Sequence, residues 1–286
     1  MSLLKTITKF LFSTLIIFAG ACEVSFADGG FPTRPGRLLI APSVSYFFAN
    51  SQWDSTGVKK RFDNNGRFSS VGVTLYAEYG ISRKFTAVAS VPFVYNMYSQ
   101  NIAPTNTNSS GLTDLETGLR YYLANIDFIY YFSVQGTAIT PLYSNNQSLG
   151  YGQEGAELKL AFSGTGHLGG LSTYFNAADG VRQYFGTNGP IQNRYNATFG
   201  LTLDSDYKNQ VSATLSGIYS QSNDKRFSPI PQTNKDFSFL QASIGFGHSF
   251  TPETSLFLSG GRFLTGRNTG VGTSVSLAFI YRLDYR

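Results

Sequence analysis

Cysteine, charge and long apolar runs are all scarce in this sequence. The single cysteine is Cys22, and it falls in a leader-like segment. If that segment is removed, disulfides, thiolate nucleophiles and cysteine-ligated metals go with it. Only 14% of residues are charged, against about 25% in ordinary soluble domains. The net charge of +5 is spread along the chain, which leaves no basic footprint for nucleic acid. There are two histidines, His167 and His248. A metal site needs further ligands converging on them, so no metal or cofactor is expected. After the leader no stretch approaches the roughly 20 apolar residues of a membrane helix.

The leader reads as an export signal. Lys5 and Lys9 make its positive start, Leu11 to Ala21 its apolar run, and Ser25-Phe26-Ala27 its cleavage site. A rival cut before Cys22, of the lipoprotein type, has Ala19 where a large aliphatic residue is usual. Cleavage after Ala27 is preferred. The expected organisation is a signal peptide over 1–27, a Gly- and Pro-rich periplasmic tail over 28–36, and one barrel over 37–286. The tail is either flexible or a small plug.

What the chain has is aromatics and alternation. Phe and Tyr number 25 and 18, glycine 30, and aromatics reach 15%, yet mean hydropathy is only -0.10. That balance fits strands with one face to lipid and the other to water. Period-two alternation is direct: Val71, Val73, Leu75, Ala77 and Tyr79 share one face, with Thr74, Tyr76 and Glu78 opposite. Phe85, Ala87, Ala89, Val91, Phe93, Tyr95 and Met97 repeat it after a tight turn. Similar runs start near Leu38, Leu115, Phe128, Leu158, Leu171, Tyr195, Val211, Leu240, Leu256 and Val271, giving about twelve strands.

Long polar stretches (50–67, 98–111, 141–155, 178–193, 221–236, 264–270) alternate with short joins. Short periplasmic turns and long extracellular loops have this rhythm, and an even strand number puts both termini in the periplasm. The expected fold is all-β, a transmembrane antiparallel β-barrel of about twelve strands in a bacterial outer membrane. A soluble β-sandwich would alternate too. The apolar faces, at about 9–11 residues, and the aromatic strand ends favour the membrane. Pro42 and Pro92 fall inside strands and predict bulges.

Three stretches carry a family pattern: WDSTGVKKRF (53–62), LYAEYGISRKFTAVASVPFVYN (75–96) and GLTDLETGLRYYL (111–123). They comprise an Asp-x-x-Gly-basic loop, a strand ending Tyr-Gly, an aliphatic strand ending Val-Pro-Phe, and Gly-Leu-x-Asp opening the fourth strand. Together they resemble the MetA-pathway of phenol degradation family. The resemblance covers about a third of the chain, and it implies an outer-membrane channel or transporter barrel found beside pathways for aromatic or other hydrophobic compounds. It names no ligand.

Gly164, Gly166 and Gly169 spell GxGxxG, but between antiparallel strands with no helix following, which is a turn and not a nucleotide loop. Glu78, Asp114, Glu116, Arg120, Glu157, Lys159 and Arg282 occupy polar faces and are the candidate lumen and selectivity residues. A paired-carboxylate catalyst is conceivable among them; a salt-bridged network is the preferred reading. In the first loop Asp54, Lys59, Lys60 and Arg61, with Phe62, Asp63 and Arg67, either bind lipopolysaccharide phosphates in solvent or fold inward as a gate. The expected partners are outer-membrane lipid, lipopolysaccharide and small hydrophobic solutes. A channel is the first functional reading, a barrel with a plugged lumen and working loops the second, and an enzyme the third.

Overall fold

The computed structural model describes residues 29–144, 148–227 and 234–285. The expected signal peptide, 1–27, lies outside the described residues.

Twelve long strands form one antiparallel sheet that closes on itself. They are β1 (Arg37–Ala49), β2 (Arg67–Gly80), β3 (Phe85–Ser99), β4 (Asp114–Ile126), β5 (Tyr130–Pro141) and β6 (Gly155–Leu168), followed by β7 (Leu171–Tyr184), β8 (Ile191–Thr202), β9 (Asn209–Gln221), β10 (Phe237–Ser249), β11 (Thr254–Arg267) and β12 (Thr273–Asp284). Each pairs with its successor, and β12 returns to β1 from Arg37↔Asp284 to Phe48↔Thr273. Closure leaves no open edge, the condition for a sheet to cross a membrane.

The burial pattern is inverted relative to a soluble protein. Leu158 and Leu160 point outward and are 62% and 59% exposed, whereas neighbouring Glu157 points inward and is 6% exposed. Val73, Leu75, Phe93 and Leu215 are exposed in the same way, while Ser133, Thr137, Ser163, Ser220 and Ser276 are buried. An apolar outer band around a polar interior is what lipid outside and water inside select.

The turns on one end are short. The tightest, between β6 and β7, is Gly169-Gly170, with φ of +57° and +87°; a two-residue hairpin turn of this kind needs positive φ at both positions. On the opposite, extracellular end the longer connections run over 50–66, 100–113, 142–154 and 222–236. Two loops expected to be long are short, 185–190 and 268–272, because β7 runs on past outward Asp179 to Tyr184 and β11 past Leu264 to Arg267. Phe128, expected to open the fifth strand, sits in the turn with φ of +56°, and Val271, expected to open the last, precedes β12.

Both strand prolines are accommodated, differently. At Pro92 the partner strand breaks at Thr113, whose N–H donates to the Pro92 carbonyl at 2.9 Å. The register shifts by one there, between Ser90↔Glu116 and Phe93↔Leu112, and Asn106–Leu112 continues up β3 above the break. Pro42 makes no bulge. Rungs to β12 are missing at Ala41 and Pro42, but Ile40↔Tyr281 and Ser43↔Ala278 keep one register. A missing N–H removes a rung there without inserting a residue.

Above the mouth, Ser51–Trp53, Lys59–Arg61 and Thr269–Gly270 form a small three-stranded sheet. At the other end, residues 29–36 turn into the barrel before β1 begins.

Candidate functional site

The interior has two unlike walls. One, from β2 round to β9, is ionic. Glu78 on β2 pairs with Arg120 on β4 at 2.9 Å, each side chain 5% exposed. Glu78 also accepts hydrogen bonds from the Tyr76 and Thr33 hydroxyls, both at 2.7 Å. Arg120 donates to Gln135 at 3.0 Å, and Gln135 to Thr137 at 3.1 Å.

A second centre lies across β4, β6, β7 and β8. Arg182 donates to Glu157 at 2.6 Å and meets Glu116 at 2.7 Å. Arg194 approaches both carboxylates, at 3.8 and 3.7 Å, and Lys159 lies 3.7 Å from Glu157. Asp114, at the extracellular start of β4, accepts from the Tyr184 hydroxyl at 3.3 Å. Glu78, Glu116 and Glu157 are thus each met by one or more of Arg120, Lys159, Arg182 and Arg194, while Asp114 is held by the Tyr184 hydroxyl. Matching matters because a lone charge held away from water is costly.

The loop after β5 seals this wall from above. The Tyr151 hydroxyl donates to the Asn234 carbonyl at 2.7 Å and accepts from Gln192 at 3.2 Å. The Tyr143 hydroxyl accepts from the Gly152 N–H at 3.0 Å. Burial pushes both phenols above the usual tyrosine range.

The other wall, from β10 through β12 to β2, is aromatic. On β10 and β11, Phe239 and Phe263 face inward and stack at 4.2 Å with 5° between their planes. Phe237 extends the stack at 6.2 Å, and Phe47 on β1 joins Phe263 at 5.6 Å and Phe68 at 5.8 Å. Phe62 of the first loop caps the cluster, buried on Ala49 and Phe68 and edge-on to Tyr98. Lower down, Ala41, Phe257 and Ile280 form a second apolar patch, with Leu39 and Tyr76 against it.

Residues 29–36 lie along the ionic wall, from β6 to β2. The Gly30 N–H donates to the Ser163 hydroxyl on β6, Phe31 packs on the Tyr131 ring at 5.1 Å, and Thr33 holds Glu78. Gly30 passes so close to the Tyr131 carbonyl that a Cβ there would collide with it.

The sequence candidates divide accordingly. Glu78, Asp114, Glu116, Arg120, Glu157 and Lys159 all join the ionic wall. Arg282 also points inward but stands apart, near the periplasmic end, donating to Ser255 at 3.2 Å. In the first loop Lys59, Lys60 and Arg61 are exposed while Phe62 is buried, so one hairpin presents cations outward and an aromatic inward. Asp54 accepts from the Thr56 hydroxyl and N–H and from the Val58 N–H; these bonds hold its carboxyl below the usual range.

Arg182, Arg194 and the phenylalanine stack were missed by sequence reasoning. Outward Asp179 interrupts the apolar face of β7, so the strand was expected to end before it and Arg182 to lie in a loop. The continuing inward series Gly180, Arg182, Tyr184 was the available signal. His167 and His248 lie on β6 and β10, and His248 Nδ1 is 2.8 Å from Asn209.

No family model matches the chain, and no curated protein matches it. Among solved structures it resembles an outer membrane channel from Pseudomonas putida F1, with TM-score 0.66 and 13% identity over 92% of this chain and 100% of that one. Weaker likenesses are the NanC porin (TM-score 0.48, 9% identity, 84% of this chain and 100% of that one) and the translocator domain of autotransporter NalP from Neisseria meningitidis (0.47, 13%, 88% and 90%). At such identity the first likeness speaks to fold, and it agrees with the closed sheet, its apolar outer band and its polar interior. The chain is an outer-membrane β-barrel.

Proposed function

We propose that this barrel is a narrow conduit for small hydrophobic or aromatic compounds. The observation that carries the reading is the inward stack of Phe239, Phe263 and Phe47 opposite a wall on which Glu78, Glu116 and Glu157 are ion-paired. A general pore for polar solutes has no use for stacked rings at its interior surface, while an aromatic solute can insert beside them. Neutralised charges leave no strong field to favour ions of one sign. Twelve strands also give an interior wider than side chains alone fill in an eight-stranded barrel and narrower than that of a large porin. The Pseudomonas putida protein of like fold is a channel, and the MetA-type motifs over 53–62, 75–96 and 111–123 point to hydrophobic cargo; membership of that family is part of the proposal. The exposed Lys59, Lys60 and Arg61 are proposed to meet lipopolysaccharide phosphates.

Single-channel recording of refolded protein tests it. Aromatic solutes should reduce the current saturably, and Phe239→Ser with Phe263→Ser should abolish that block while leaving the ionic current in place. Block by sugars equal to block by aromatics would contradict the reading.

A second reading is favoured by residues 29–36, which occupy lumen space and bind the ionic wall at Ser163 and Glu78: a plugged barrel whose loops do the work. Removal of that segment separates the two. A conduit gains conductance, whereas a barrel closed by its own side chains does not.

A further inference from the structure

The outer wall carries a groove of about 590 Å³, almost wholly apolar, that crosses β7 to β11. Its floor exists because outward positions that are large elsewhere are small here. One row of directly paired outward residues runs Ala177, Ala197, Leu215, Ala242, Arg262; the adjoining row contributes Ala213 and Gly260, with Phe175 and Phe199 as its lower border. The rows climb. Followed one way, the second reaches Tyr130 at the periplasmic end of β5; followed the other, it reaches Tyr95 near the extracellular end of β3. The groove therefore rises from the lower part of β7 to the extracellular half of β11, and Arg262 stands at its upper end.

Arg262 is exposed on the lipid side, and no carboxylate pairs with it among the described residues. A guanidinium on that face is costly against hydrocarbon and falls in cost near the interface, where it can reach toward polar headgroups. It alternates with outward Leu258 and Leu264, both half exposed to lipid, so the strand has no need of a cation there. A planar, permanently charged fork suits phosphate.

We infer that this face is a lipid site: the groove seats an acyl chain of a phosphorylated, multiply acylated glycolipid of the outer leaflet, lipid A, and Arg262 binds its phosphate. Charge complementarity selects an anionic lipid. The position of Arg262 on the extracellular half selects the outer leaflet, and the groove below it fixes the direction of the chain. The inference is independent of what passes through the lumen.

Native mass spectrometry of the full barrel, exchanged into micelles with defined lipids, tests it. Wild type should retain lipid A about tenfold more tightly than Arg262→Gln, the loss of one charged contact, with Arg262→Lys intermediate. Ala213→Trp, which fills the groove on a lipid-facing position, should weaken retention and leave Arg262 in place. All variants should show the wild-type shift in gel mobility on boiling, so that lost binding is not lost folding. Equal retention by Arg262→Gln, equal retention of dephosphorylated lipid A, or displacement of lipid A by phosphatidylglycerol at equal concentration would each overturn the site.

Discussion

Arg182 on β7 and Glu157 on β6 meet at 2.6 Å with side chains 4% exposed, inside a barrel whose leucines face outward. The pair sits at the centre of the ionic wall, since Arg182 also binds Glu116 at 2.7 Å. Removing the arginine leaves Glu116 and Glu157 only the longer contacts of Arg194 and Lys159. Arg182→Met should lower barrel stability by about 3–5 kcal/mol, read from urea unfolding in lipid vesicles, and Arg182→Met with Glu116→Gln, which keeps Glu157 beside Arg194 and Lys159, should recover much of it. A loss below about 1 kcal/mol, the scale of exposed pairs, would mean water screens the wall.

Thr33 and Tyr76 both donate to Glu78, which ties residues 29–36 to the wall. In Glu78→Gln the hydrogen bonds lose their charge, and bonds to charged groups contribute about 1.5–3 kcal/mol. The variant should therefore expose the segment to periplasmic-side protease in reconstituted vesicles. Unchanged cleavage would place the anchor at Gly30 and Phe31 instead.

Asp236, just before β10, gives a pH-dependent hold on the extracellular side. Its burial favours the neutral acid, but hydrogen bonds from Arg267 at 2.6 Å and from Lys225 outweigh this and hold its pKa below 3.8. A depressed pKa means the contribution is complete above pH 3.8 and is lost as pH falls through the lower folded value. Asp236→Asn should speed amide exchange at Phe237 at neutral pH, and the difference from wild type should close below pH 3.8. A difference that persists in strong acid would contradict the ion-pair account.

The aromatic wall predicts a separation of stability from transport. Phe263→Leu keeps an apolar side chain but removes the 4.2 Å stack on Phe239. It should cost about 0.5–1.5 kcal/mol while weakening aromatic block of the current. Intact block would mean the stack serves packing alone.

Much of this molecule was legible in the sequence, because alternation, strand number and turn rhythm are each imposed by lipid and by closure. Glu78, Asp114, Glu116, Arg120, Glu157 and Lys159 could be placed on the inner face by counting twos from Val71, Leu115 and Leu158. Their partners could not. Arg182 lies beyond Asp179, an outward polar residue that breaks the pattern, and which inward cation meets which acid depends on the register between strands distant in sequence. The inward phenylalanines were hidden for a related reason. Phe239 and Phe263 fall on the inward face when twos are counted from Leu240 and Leu256, but their stacking depends on the pairing of β10 with β11, whose register shifts at Leu240/Gln241. Pro92 announced its bulge correctly; Pro42 did not need one.

The account stands on the two faces of each strand, and site-directed spin labels at positions 73 and 74 in lipid vesicles test it most directly. Val73 is 46% exposed on the outer face, and Thr74 pairs with Ser43 and Pro92 on the inner one. A label at 73 should be relaxed by oxygen and shielded from a water-soluble nickel chelate, and a label at 74 should show the reverse. The same relaxation at both positions, or the opposite order, would contradict the lipid-outside, water-inside arrangement and with it the conduit.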